Sequence, residues 1–187
     1  MIKCASIVLI GALQGLAPER VLYAGSASKI LAPGLRLGWM LAPAQWLPAL
    51  VQAKRVADRG SPVLDQLTLG AFLQQGGLDL HLRRSRKIYR RRRDVLIAAL
   101  KQYLPRLELC GAATGPHLML NLGARIDETT AVQAAAAASV RLHGASNPRL
   151  GYHAGTAALI LGYGGLAEPR IAETVRHLAL ALRDLSG

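Results

Sequence analysis

Between Gly77 and Pro105 the chain runs for 27 residues without a glycine or a proline. Leu78, Leu82, Tyr89, Leu96 and Leu100 supply an apolar side within that stretch. The spacing predicts one long helix over 78–103, ended by Pro105, with its apolar side on a core and polar flanks in water. Any fold for this chain has to be built around that helix.

Shorter elements alternate on either side of it. Val21–Gly25 is apolar, rich in β-favouring residues and ended by glycine, which predicts a buried strand. Ser26–Arg36 reads as a polar loop, and Leu37–Leu41 before Pro43 reads as a second strand. Trp46, Leu47, Leu50 and Val51 fall at helical spacing over 44–56, with Pro48 tolerable in the first turn. Ser61 followed by Pro62 predicts an N-cap and first helical position for a helix through Phe72, closed by Gly76 and Gly77. Beyond the long helix, Leu118–Leu122 predicts a strand, Asp127–Ser139 an alanine-rich helix, and Val140–Leu142 and Ala158–Leu161 two further strands. The chain closes on an amphipathic helix over 168–185, with Ile171, Val175, Leu178, Leu182 and Leu185 on one side. Strands alternating with helices point to an α/β fold. Trp39 and Trp46 are expected in the core.

Apolar residues at 51% and charged residues at 18% exclude a chain dominated by disorder. Lys and Arg number 23 against 11 Asp and Glu, a net charge of +12 that suits nucleic acid, anionic lipid or phosphorylated ligands without choosing among them. Cys4 and Cys110 form neither a disulfide framework nor a metal pair, so a reducing cytoplasm is the expectation. The apolar stretch over 6–13 is interrupted by Gly11, makes a poor signal peptide and is too short to span a membrane. His81, His117, His143, His153 and His177 lack the spacing of a zinc or catalytic pair, and no metal site is expected.

The chemistry is concentrated in the run from Gly25 to Trp39, Gly-Ser-Ala-Ser-Lys-Ile-Leu-Ala-Pro-Gly-Leu-Arg-Leu-Gly-Trp. Lys29 follows just past a strand's C-terminal end, where open α/β sheets place their ligands. An amine with a lowered pKa can condense with an aldehyde. Ser26, Ser28 and Arg36 add two hydroxyls and a guanidinium, a donor set suited to a dianionic phosphate. A lysine beside a phosphate cradle suggests pyridoxal 5'-phosphate (PLP). For Ser-x-Ser-Lys alone, the competing reading is a polar turn with a solvated lysine.

The whole run resembles the PLP-lysine motif of fold-type I class I/II aminotransferases, in the form found in MocR-type regulators of the GntR family. These fuse a winged-helix DNA-binding domain to an aminotransferase-like domain. Pro62-Val63-Leu64-Asp65-Gln66, His81-Leu82-Arg83-Arg84 with Tyr89 and Arg92-Arg93-Asp94, Gly115-Pro116-His117, and Leu159-Ile160-Leu161-Gly162-Tyr163 followed by Glu168-Pro169-Arg170-Ile171 are similar to later landmarks of the same family. The likeness covers about Leu13 to Leu185. It implies the PLP-dependent transferase fold type I, with residues 1–88 as the C-terminal part of the PLP-binding large domain and 89–187 as the small C-terminal domain. It also implies Lys29 as the Schiff-base lysine, with Ser26, Ser28 and Arg36 on the cofactor phosphate.

Two departures qualify the resemblance. Family members carry, ahead of this region, an aspartate that pairs with the pyridinium nitrogen and an aromatic that stacks on the ring; this sequence has neither, so the isolated chain is expected to be inactive in transamination. Many members also bind the substrate carboxylate through an arginine near the strand occupied here by Leu159–Leu161, where this sequence has none; Arg149 and Arg170 are the candidates to reach the site. The resemblance therefore implies a truncated effector-sensing domain of a MocR-like regulator that binds PLP and an amino-acid-like effector, dimerises, and meets DNA only through a winged-helix domain outside this chain. The alternative is a class I/II aminotransferase acting between amino acids and 2-oxo acids. A third reading is a basic nucleic-acid-binding protein using Arg83–Arg93. For that basic run, a solvated helix face is the expectation and attraction to phosphate the alternative.

Overall fold

The computed structural model of the 187-residue chain describes residues 12–110, 117–146, 157–183 and 185. Described residues up to Ser85 form one compact unit, and those from Arg86 onward form a second.

The first unit opens with the short helix α1 (Leu13–Leu16) and the strand β1 (Tyr23–Ser26). A single helical turn, α2 (Ala27–Ile30), and a 3-10 turn over Pro33–Leu35 lead to β2 (Gly38–Leu41). The segment expected as a plain loop is thus mostly helical turns. β1 and β2 pair antiparallel, with Gly25 opposite Trp39 and Ser26 opposite Gly38. The pairing needs glycine on both strands: a Cβ on Gly25 would lie 2.2 Å from the Trp39 ring, and one on Gly38 would lie 2.9 Å from the Gly25 carbonyl oxygen.

Two helices follow, α3 (Leu47–Asp58) and α4 (Val63–Gln74). Pro48 stands in the first turn of α3, where its missing N–H costs nothing. Ser61 does not cap α4. Its hydroxyl donates to Asp58 Oδ2 at 2.9 Å and accepts from Lys54 Nζ at 2.6 Å, so it is committed to the end of α3, and Pro62 occupies the cap position. Gly76, with φ +71, makes the turn between helices, while Gly77 already belongs to the next one. Trp39 and Trp46 are not in a core; they remain 37% and 42% exposed. Within this unit few apolar side chains are covered, and Val63, Leu64 and Leu67 of α4 are exposed.

The long helix α5 runs unbroken over Gly77–Tyr103, as its sequence predicts. Its C-terminal half buries Leu96, Ala99 and Leu100 in the core of the second unit. That core is a four-stranded antiparallel sheet, order β3-β4-β6-β5, formed by β3 (Glu108–Cys110), β4 (His117–Asn121), β5 (His143–Gly144) and β6 (Ala158–Gly162). Helices α6 (Glu128–Ala137) and α7 (Glu168–Arg183) complete it. On β4, Leu118 and Leu120 are buried while Met119 is exposed, the alternation expected of a strand with one covered face. Along α7, Ile171, Val175, Leu178 and Leu182 form the buried stripe. Ala131 and Ala135 of α6 are fully buried, and their small side chains permit close approach.

The strand expected at Val140–Leu142 is displaced to His143–Gly144. The Val140 N–H bonds the Ala135 carbonyl at 2.8 Å and so still belongs to the end of α6. Val140 and Leu142 are nevertheless buried. No helix among the described residues is long and apolar enough to cross a membrane.

Candidate functional site

β1 delivers the chain to Ser26, whose extended backbone (φ −136, ψ 122) makes it the N-terminal cap residue of α2. Three residues on, Lys29 occupies the last turn of α2 and is exposed. Ala27 between them is 1% exposed, and its N–H donates to the Leu37 carbonyl at 2.9 Å, tying α2 to the approach of β2. The motif is therefore held by backbone bonds and one buried alanine, leaving its functional side chains uncommitted. Ser26 makes no side-chain capping bond. Among the described residues, the side chains of Ser26, Ser28, Lys29 and Arg36 enter no hydrogen bond or ion pair.

Arg36 closes the 3-10 turn in the left-handed region, at φ 48 and ψ 21. A residue with a Cβ pays about 1–2 kcal/mol for that conformation. Strained backbone at a candidate phosphate contact is an observation from which function can be argued. The electrostatics agree, because no Asp or Glu occurs between Glu19 and Asp58. Two hydroxyls, an ammonium and a guanidinium without a nearby carboxylate in the same stretch suit a phosphate-bearing aldehyde, and in that sense the residues fit PLP.

His81 is a supporting residue that reading the motif alone does not reveal. Its Nε2–H donates to the Ile30 carbonyl at 2.9 Å, and Ser85 Oγ stands 3.3 Å from the same nitrogen. The bond holds the C-terminal end of the turn that carries Lys29, across 51 residues of sequence. No local pattern signals a pairing over that distance.

Neither larger hollow is lined by Ser26, Ser28, Lys29 or Arg36. One of about 300 Å³ is lined by Leu31, Leu35 and α4 residues including Thr68 and Phe72. Another of about 540 Å³ lies in the second unit and is bordered by Arg106, Arg125 and Arg183. The chemistry therefore points to Lys29 on its donor set, not on enclosure. Of the candidate carboxylate ligands, Arg170 is committed to Glu173 at 2.8 Å on α7, and Arg149 lies outside the described residues, as do Gly115 and Pro116. β6 carries only Ala158, Leu159, Ile160, Leu161 and Gly162.

Comparison with known proteins agrees with this architecture. An uncharacterized HTH-type transcriptional regulator of Bacillus subtilis, YhdI, is 34% identical over 178 residues, covering 94% of this chain and 38% of its own length. The 2-aminoadipate transaminase of Thermus thermophilus is 31% identical over 166 residues, covering 88% of this chain and 41% of its own. Among solved structures, the Thermus thermophilus alpha-aminoadipate aminotransferase complexed with N-(5'-phosphopyridoxyl)-L-leucine matches with a TM-score of 0.78 at 30% identity, over 92% of this chain and 44% of that one. The chain thus spans about two fifths of the length of these relatives. No protein-family model matches it.

Proposed function

We propose that this chain, which belongs to the aminotransferase-like family shared by HTH-type, MocR-like regulators and PLP-dependent aminotransferases, is part of a regulator's effector-sensing domain and binds PLP through Lys29. The observation that carries the reading is the set of uncommitted side chains at the β1–α2 turn, closed by Arg36 in a left-handed conformation. Bound there, PLP would supply an aldehyde that an amine can hold covalently and a ring that withdraws electrons.

Lys29 would hold the aldehyde through Nζ. Ser26 and Ser28 would offer hydroxyl donors to the phosphate, and the Arg36 guanidinium would offset its charge. His81 steadies the turn from behind. With this reading go the assignment of residues 1–88 to the large domain and 89–187 to the small one, a cytoplasmic location, homodimerisation and an amino-acid-like effector.

The test is covalent trapping. After incubation with PLP and borohydride, peptide mapping should place the label on Lys29 and find it lost in Lys29→Ala. Equal labelling of Lys54, Lys87 and Lys101 would reject a built site. The second reading, an aminotransferase, is favoured by the identity to the Thermus transaminase. A half-reaction assay separates the two: robust conversion of PLP to pyridoxamine phosphate by amino donors would favour the enzyme.

A further inference from the structure

The Lys29 site leaves unused a dense run of exposed cations on α5. Arg83, Arg84, Arg86, Lys87, Arg90 and Arg91 all lie on the unbroken helix α5 and are all exposed. None of the six takes part in a hydrogen bond or ion pair among the described residues. At 100° per residue they fall within an arc of about 160°, and Leu96 and Leu100, in the core, project from the opposite side of the helix. Arg93, about 20° outside the arc, and Arg92, about 80° outside it, are half-buried and engaged, Arg92 with the Gly164 carbonyl and Arg93 with Asp94. Among the described residues, α5 thus separates cations engaged within the fold from cations that are not.

We propose that this face of α5 binds the phosphate backbone of duplex nucleic acid without reading its sequence. The six cations extend along about 12 Å of helix axis. A duplex presents about one negative charge per 1.7 Å, so roughly seven phosphates could oppose them. Five of the six are arginines, whose forked donors match phosphate oxygens and carry no base specificity by that contact. A lipid surface fits less well, because an interfacial helix needs a continuous apolar face, and the exposed apolar residues beside these cations, Leu80, Ile88 and Tyr89, are scattered round α5 at about 60°, 140° and 240° from Arg83. The inference does not rest on PLP binding, and it is distinct from operator recognition by a winged helix.

The experiment measures binding of the whole chain to a random-sequence 30-base-pair duplex, by anisotropy, across a salt series. Engagement of four or five phosphates gives log Kobs against log[salt] a slope of about −4. The triple variant Arg83→Gln, Lys87→Gln, Arg90→Gln should flatten that slope by about three units and weaken binding about tenfold or more at low salt. A control triple, Arg106→Gln, Arg125→Gln, Arg176→Gln, removes the same charge from exposed positions elsewhere and should leave the slope within about one unit. Arg83→Lys with Arg90→Lys keeps the charge and should keep the slope, and circular dichroism checks that each variant is folded. Lys29→Ala should bind duplex as the parent does, which separates failure of this inference from failure of the PLP reading. Equal losses in the two triples, no duplex binding at low salt, or binding to phosphatidylserine vesicles without binding to duplex would each overturn it.

Discussion

Replacing Glu128 by alanine probes the joint that holds α6 to the sheet. Glu128 opens α6, but its carboxylate turns away from the helix and accepts the Ser146 N–H at 2.9 Å and the Ala158 N–H at 3.0 Å. The Ser146 hydroxyl, at 3.5 Å, is too distant to add much. Hydrogen bonds to a charged group contribute about 1.5–3 kcal/mol each, and the half-buried position of Glu128 argues for the lower end. Losing both should therefore cost about 3 kcal/mol. With an m-value near ~1.5 kcal/mol/M, the urea midpoint of the second unit falls by about 2 M. A double-mutant cycle sharpens the test. A Cβ on Gly144 would lie 2.2 Å from Glu128 Oε1, the oxygen that receives the Ser146 N–H, so Gly144→Ala should displace the carboxylate and cost about 1.5 kcal/mol. In the Glu128→Ala background the same change should cost less than about 0.5 kcal/mol. A Glu128→Ala chain within about 0.5 kcal/mol of the parent, or additive effects in the cycle, would refute the reasoning.

The remaining predictions concern the site and the core. His81→Ala should slow borohydride-trapped PLP labelling of Lys29 without abolishing it, because it removes the bond to the Ile30 carbonyl and leaves the donors in place. Gly38→Ala should damage that labelling more than Gly25→Ala: the first meets a backbone oxygen that cannot move aside, the second meets the half-exposed Trp39 ring, which can swing out and report by fluorescence. Leu120→Ala, at a fully buried centre of β4, should cost about 3–5 kcal/mol in denaturant unfolding. The Thr130 N–H, donating to Asp127 at 2.8 Å, holds that carboxyl below its usual range. Its folded pKa is depressed, so the cap's stabilisation is present above the ordinary aspartate value and is lost as pH falls through the folded one. Asp127→Asn should remove this acid-limb dependence while keeping α6 helical by circular dichroism, since asparagine also caps.

Local rules sufficed wherever a feature and its cause lie within one element. The long helix follows from its apolar spacing and from Pro105, the start of α6 from Asp127, and the buried stripe of α7 from its periodicity. Where two neighbours competed for one group, local reading chose wrongly. Ser61 could cap α4 or close α3 and does the latter, and the end of α6 keeps the Val140 amide that a strand would have used. Trp39 and Trp46 are apolar enough for a core, but burial needs a covering surface, and the described residues leave both partly open.

What the order of residues determined by itself is the kind of chemistry available: one lysine among hydroxyls and a guanidinium, and a helix with cations on one side. What only the tertiary structure decided is which groups are already taken. Glu128 reaches amides 18 and 30 residues away, and His81 a carbonyl 51 residues away, while Arg36 and the six cations of α5 keep their donors unspent among the described residues. A hydrogen bond is a matter of distance in space, set by how the whole chain packs, and no pattern within a few residues can report it.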